Sequence, residues 1–126
     1  MYPRELVESY YGAIGRRDIE SVTNLFNDNA SLYFPGQDEH SGKDAIVTFF
    51  KDLFFSQFTK IGYHDLEIVH SAEIIAIKAY VSGIVSTAKS FDKIRYFEFL
   101  KLKEDRISRS EICVDMPALR AQVGKW

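Results

Sequence analysis

Between Pro3 and Ile14 the apolar side chains Leu6, Val7, Tyr10, Tyr11 and Ile14 recur at three- and four-residue intervals. That spacing predicts a helix with one buried face. Pro3 suits its first turn and Gly15 its end. Asp18 reads as the cap of a second, short helix whose apolar face is Ile19, Val22, Leu25 and Phe26. Over residues 30–34 the period falls to two, with Leu32 and Phe34 on one side and Ser31 and Tyr33 on the other, as in a strand. A third helix follows, with Ser41 as its cap and Asp44 as a short-armed capping-box partner. Its face is Ile46, Phe49, Phe50, Leu53 and Phe54, running to about Phe58.

From Tyr63 onward the period is two, and strands are predicted at about 62–70, 74–87, 91–103 and 106–115. Residues 71–73 and 103–105 are the turns. In the second of these strands Ile75, Ile77, Ala79 and Val81 face one way and Lys78, Tyr80 and Ser82 the other. A short helical piece from Pro117 to about Val123 closes the pattern before Gly124. Helices first and a strand meander afterwards mean a segregated α+β fold, with helices covering one sheet face.

Composition narrows the function classes. At 126 residues the chain suits one domain, 1–126, with a single core. Ten Phe and seven Tyr supply enough aromatic surface for a packed interior and for the walls of a cavity. Net charge is −2 and no run of Lys or Arg exceeds two, so the basic footprint of a nucleic-acid binder is missing. No segment approaches the roughly 20 apolar residues that span a bilayer, and no signal peptide is apparent, so a cytoplasmic protein is expected. Cys113 is the single cysteine, which excludes an internal disulfide and a cysteine-built zinc site. The three histidines are scattered without metal-ligand spacing, and no glycine-rich phosphate loop appears. No metal and no cofactor are expected.

Several phrases coincide in order. "YYGAIGRRDIESVTNLFNDNASLYFPG", "SGKDAIVTFFKDLF", "EDRISRSEICVD" and "DMPALRAQVG" together resemble the nuclear-transport-factor-like superfamily, which includes ketosteroid isomerase, and above all its SnoaL-like polyketide-cyclase branch. The resemblance covers about residues 3 to 124. It implies a cone-shaped, curved antiparallel or mixed sheet wrapped around a long helix with two N-terminal helices, a cystatin-like α+β barrel. It also implies an apolar pocket for a small molecule and a homodimer through the outer sheet face, where the Lys78, Tyr80, Ser82 side is the candidate surface.

Fold alone does not decide chemistry in this superfamily, so the site residues must. A ketosteroid-isomerase-like mechanism needs a carboxylate base and acidic donors that hold an oxyanion. By resemblance Tyr10 takes the donor-tyrosine place and Glu98 falls near the acidic donor, but the base position is Phe34, which accepts no proton. A limonene-epoxide-hydrolase-like mechanism finds Asp115 and Arg95 but has Phe97 where a second acid belongs. A SnoaL-like cyclase asks least: one carboxylate acting as acid and base on an acidic C–H of an apolar, oxygenated ligand. Asp115 is its candidate acid/base, with Tyr10, His64 or Glu111 as donors or orienting groups. Tyr11, Phe26, Phe34, Phe50, Phe54, Phe97, Glu98 and Cys113 complete the expected pocket.

Each candidate also has a plainer reading. Asp115 precedes Met-Pro and suits a helix cap. Tyr10 and Tyr11 suit helix packing, Cys113 a small core site, and His64 an exposed strand start. Arg109 and Glu111 alternate with Ser110 and Ile112, and one bulge would reverse which pair points inward. A non-catalytic ligand-binding or dimerising module is therefore the alternative function.

Overall fold

The computed structural model describes residues 2–125. Helix α1 (Pro3–Gly15) has proline in its first turn and buries Leu6, Val7, Tyr10, Tyr11, Ala13 and Ile14, the face expected from the spacing. Asp18 caps α2 (Ile19–Thr23), accepting from the Ser21 amide at 3.1 Å. Strand β1 (Phe26–Tyr33) starts earlier than the 30–34 pattern suggested, because Phe26 already pairs with Ile107 before a register shift.

The third helix departs from expectation at both ends. Ser41 does not cap it: His40–Ser41 forms the two-residue strand β2 against Leu32 and Ser31, which commits the Ser41 backbone to pairing. Gly42 takes the cap position instead, at φ 90°, a conformation that favours glycine. Helix α3 (Lys43–Thr48) then widens into a π-helical turn over Phe49–Phe54 before α4 (Phe55–Gln57). A π turn brings residues i and i+5 above one another. Phe49 accordingly meets Phe54 at 5.9 Å and Phe50 meets Phe55 at 6.0 Å between ring centroids, and all four rings are buried. A regular helix would spread these side chains around its circumference; the widened turn stacks two columns of rings into the core.

Strands β3 (Phe58–Ser71), β4 (Ile74–Val85), β5 (Ser90–Lys103) and β6 (Arg106–Val114) complete one sheet in the order β2-β1-β6-β5-β4-β3. Among the described residues only β1 and β6 run parallel; the other neighbours are antiparallel. On β4 the expected inward set Ile75, Ile77, Ala79 and Val81 is buried. Helix α5 (Met116–Val123) ends the chain against β5, with Asp115 as its cap.

The inward face of the last strand was open from sequence alone, and Phe97 and Glu98 were both expected in the pocket; the structure decides the parity of both strands. On β5 the residues Tyr96, Glu98 and Leu100 point into the core, so Phe97 and Phe99 are 45% and 38% exposed on the outer face. On β6 Ser110 and Ile112 point inward, while Glu111 and Cys113 face out. Irregularities at Val81/Gly83 and Lys101/Leu102 break the pairing register on either side, and each such step re-aims the side chains that follow. Phe97 and Cys113 are therefore not interior wall residues.

Candidate active site

Among the described residues Glu98 is the one carboxylate buried in the core, 2% exposed. Strand β5 carries it inward between Tyr96 and Leu100, opposite Ile112 of β6. Three hydroxyls donate to it. Tyr10 reaches Oε2 at 2.9 Å, Tyr11 reaches Oε1 at 2.9 Å, and Ser110 reaches Oε2 at 2.5 Å. Neighbouring positions on α1 ordinarily diverge by about 100°. Here the two tyrosine rings lie stacked, 5.4 Å apart, and straddle the two oxygens of one carboxyl group.

A second layer of hydroxyls surrounds this group. The Tyr63 hydroxyl donates to the Tyr96 hydroxyl at 3.4 Å, and the Tyr63 ring stands edge-on to Tyr96 at 5.0 Å. No buried side-chain N or O among the described residues lacks a hydrogen-bond partner.

Burial pushes the Glu98 carboxyl up to about 7, and the hydroxyls of Ser110, Tyr10, Tyr11 and Tyr96, which favour its charged form, hold it from going further. Desolvation first, then the nearby Glu98 charge, raises Tyr10 and Tyr11 well above the ordinary phenol range. Tyr63 and Tyr96 are raised as well, chiefly by burial. The site thus holds one carboxyl that changes charge near neutral pH among phenols that stay protonated. Such a set can accept a proton, return it, and donate hydrogen bonds to a second oxygen.

The expected residues divide between this site and other places. Tyr10, Tyr11 and Glu98 come together. Phe26 and Phe50 pack edge-on to Tyr10, at 5.8 and 6.5 Å. Phe54 is buried one ring further away, against Phe50, and Phe34 lies beyond it, against Phe49 and Phe54.

Asp115 lies apart: its Oδ1 accepts from the Ala118 amide at 3.2 Å. It borders an outer groove with Arg95, Phe97, Cys113 and Val114. Glu111 also lies outside, paired with Arg109 at 2.8 Å. His64 sits half-exposed on β3, its Nε2 2.9 Å from Ser82 Oγ and its Nδ1 3.3 Å from Asp65.

Sequence reading missed Ser110, Tyr63 and Tyr96. Tyr96 was within reach, two positions from Glu98 and hence on its face of the strand. Ser110 needed the β5–β6 register, and Tyr63 the path of β3 past α1. Among the described residues no group of three His, Cys, Asp or Glu is placed to hold a metal ion, and no helix is long and apolar enough to cross a membrane.

Comparison with known proteins follows the same lines. The family model of the SnoaL-like domain matches residues 7–110. A comparison with curated protein sequences finds no match. Among solved structures, a provisionally assigned polyketide cyclase from Xanthomonas campestris pv. campestris superposes with a TM-score of 0.85 at 15% identity, covering 96% of each chain. A protein of ketosteroid-isomerase-like fold from Catenulispora acidiphila gives 0.86 at 13% identity, over 98% of this chain and 95% of that one. A provisionally assigned isomerase from Bacillus subtilis gives 0.82 at 20% identity, over 96% and 91%. At these identities the likeness speaks for the fold. With the family model spanning residues 7–110, most of the chain, this protein belongs to the SnoaL-like domain family.

Proposed function

We propose that this protein is a proton-transfer enzyme for an apolar, oxygenated small molecule, with Glu98 as its acid/base. The observation that carries this reading is a buried carboxyl held by three hydroxyls and pushed up to about 7. A carboxylate takes a proton from carbon beside a carbonyl, and the resulting acid returns it to a second position, so atoms and charge balance over the cycle. Phenols that remain protonated, Tyr63 and Tyr96 among them, are suited to the charge that develops on the carbonyl oxygen. This assigns Glu98 the role first expected of Asp115, which is engaged as a helix cap. The test is deuterium exchange into the α-carbon of ketone ligands, followed by NMR. Glu98→Gln should abolish exchange, and exchange at the wild-type rate in that variant would end the proposal.

A second reading is favoured by the packing. Rings of Phe26, Phe49, Phe50 and Phe54 fill the space between Phe34 and Tyr10. An interior filled this way suits a non-catalytic, dimerising module. Under it the outer face matters, where Tyr33, Phe97 and Phe99 are exposed. Phe97 pairs in register with Cys113, and both Phe99 and Tyr33 pair with Glu111, so the three rings share one patch. Such a face suits self-pairing about a two-fold axis. Sedimentation of Phe97→Asp against wild type tests it: a wild-type monomer at micromolar concentration would remove the dimer.

A further inference from the structure

The side chain of Tyr11 faces two environments. Its hydroxyl donates to Glu98, while its ring lies flat on the Tyr63 ring, with centroids 3.9 Å apart and planes within 7° of parallel. Both rings line a cleft of about 400 Å³ between α1 and β3, bordered by Gly12, Gly15, Gly62 and Leu66. Solvent in this cleft stands one side chain away from the buried carboxyl. The Tyr63 hydroxyl in turn reaches Tyr96, so the stacked pair leads inward to both layers of hydroxyls.

The walls of this cleft are bare and one of them is weakly held. Three of its borders are glycines; Gly12 and Gly15 lie in one row of α1 with Glu8, and a Cβ added at Gly12 would meet only the tip of the Arg16 side chain, at 3.2 Å. Strand β3 is one of the two sheet edges and, among the described residues, pairs only with β4. Directly after Tyr63 its register shifts between His64 and Glu67, with Asp65 at φ 55°. An edge strand interrupted by a bulge yields at lower cost than a central one. Tyr63, half-buried, is the side chain that such movement carries away from Tyr11.

We infer that the cleft between α1 and β3 is the entrance to Glu98, and that Tyr63 is its gate, leaving Tyr11 to admit a flat, uncharged molecule bearing a hydroxyl. This rests on the proton-transfer reading of Glu98. Flatness follows from the parallel ring faces between which the molecule enters. The Glu8 carboxylate on the rim and Glu98 behind it repel anions. A hydroxyl supplies the donor that a buried carboxylate accepts.

The probe is 2-naphthol, followed by stopped-flow fluorescence with the full chain and with variants whose thermal midpoints confirm folding. Gly12→Trp, on the α1 side, covers the cleft and should slow association by about tenfold or more, while Tyr63→Ala should speed it. Glu98→Gln should weaken binding without slowing entry. Unchanged association rates in both cleft variants overturn the entrance, even where Glu98→Gln still weakens binding. Wild-type affinity in Glu98→Gln overturns the Glu98 reading and the destination of the entrance with it. Absence of 2-naphthol binding to both wild type and Tyr63→Ala overturns the inference outright.

Discussion

The Tyr10 hydroxyl donates to Glu98 Oε2 at 2.9 Å, tying the first helix to the fifth strand across 88 positions of sequence. Because this bond favours the charged carboxyl, its loss moves the titration upward. Tyr10→Phe should therefore raise the Glu98 midpoint above about 7, read by carbon NMR of the labelled carboxyl. It should also cost about 1–3 kcal/mol at pH 8, where the carboxylate has lost a donor. A midpoint that stays put or falls would contradict the geometry.

Stability should itself depend on pH through Glu98. Its carboxyl is raised in the folded state from 4.5 to about 7, so between these values the folded protein holds a proton that the unfolded chain has released. Stability from this group is then full below pH 4.5, declines as pH rises through the window, and is lost above 7. The change amounts to roughly 3.5 kcal/mol at about 1.4 kcal/mol per pH unit. Urea unfolding at several pH values should show that decline in wild type, and Glu98→Gln should lack it. A parallel slope in the variant would assign the dependence to other groups.

Asp115→Ala separates a cap from a catalyst. With its carboxylate on the Ala118 amide, the substitution should cost about 1 kcal/mol through α5 and leave proton exchange unaltered. Lost turnover at unchanged stability would return the acid/base role to Asp115.

At Gly83 the backbones of β3 and β4 leave no room for a side chain. A Cβ there would lie 2.0 Å from the Lys60 carbonyl oxygen, a backbone atom with no freedom to step aside. Gly83→Ala should destabilise by about 1–3 kcal/mol through forced separation of the two strands. The thermal midpoint should drop, and amide exchange in β3 should quicken more than in β6. A midpoint at or above that of wild type would refute the close approach.

Phe50 touches the rings of Tyr10, Phe26, Phe49, Phe54 and Phe55 and is fully buried. Phe50→Ala should cost about 3–5 kcal/mol, read by urea unfolding. A loss below 1 kcal/mol would mean that the core collapses freely into the space.

Much of the fold was legible because its signals are local. The helical spacing of Leu6 to Ile14, the cap at Asp18 and the alternation on β4 each need only a few neighbouring residues. The site was legible in part. Tyr10, Tyr11 and Glu98 stood among the expected residues, yet Asp115 and His64 were ranked above Glu98 for the chemistry. What misled is parity: in a run such as Arg95-Tyr96-Phe97-Glu98-Phe99, an aromatic ring inside with an acid outside is the ordinary expectation for a half-buried strand. The protein does the reverse for Phe97 and Glu98, because three hydroxyls from two other elements await the carboxylate.

By itself, the amino-acid order determined where helices and strands lie, that they segregate into an α+β domain, and which family pattern they follow. The π turn at Phe49–Phe54, the steps in register along β4, β5 and β6, and the meeting of Tyr10, Tyr11 and Ser110 at Glu98 were decided only in three dimensions. Periodicity records which residues share a face of one element. Which face turns inward is settled by the combined packing of all the elements, and one extra residue in a strand is enough to reverse it.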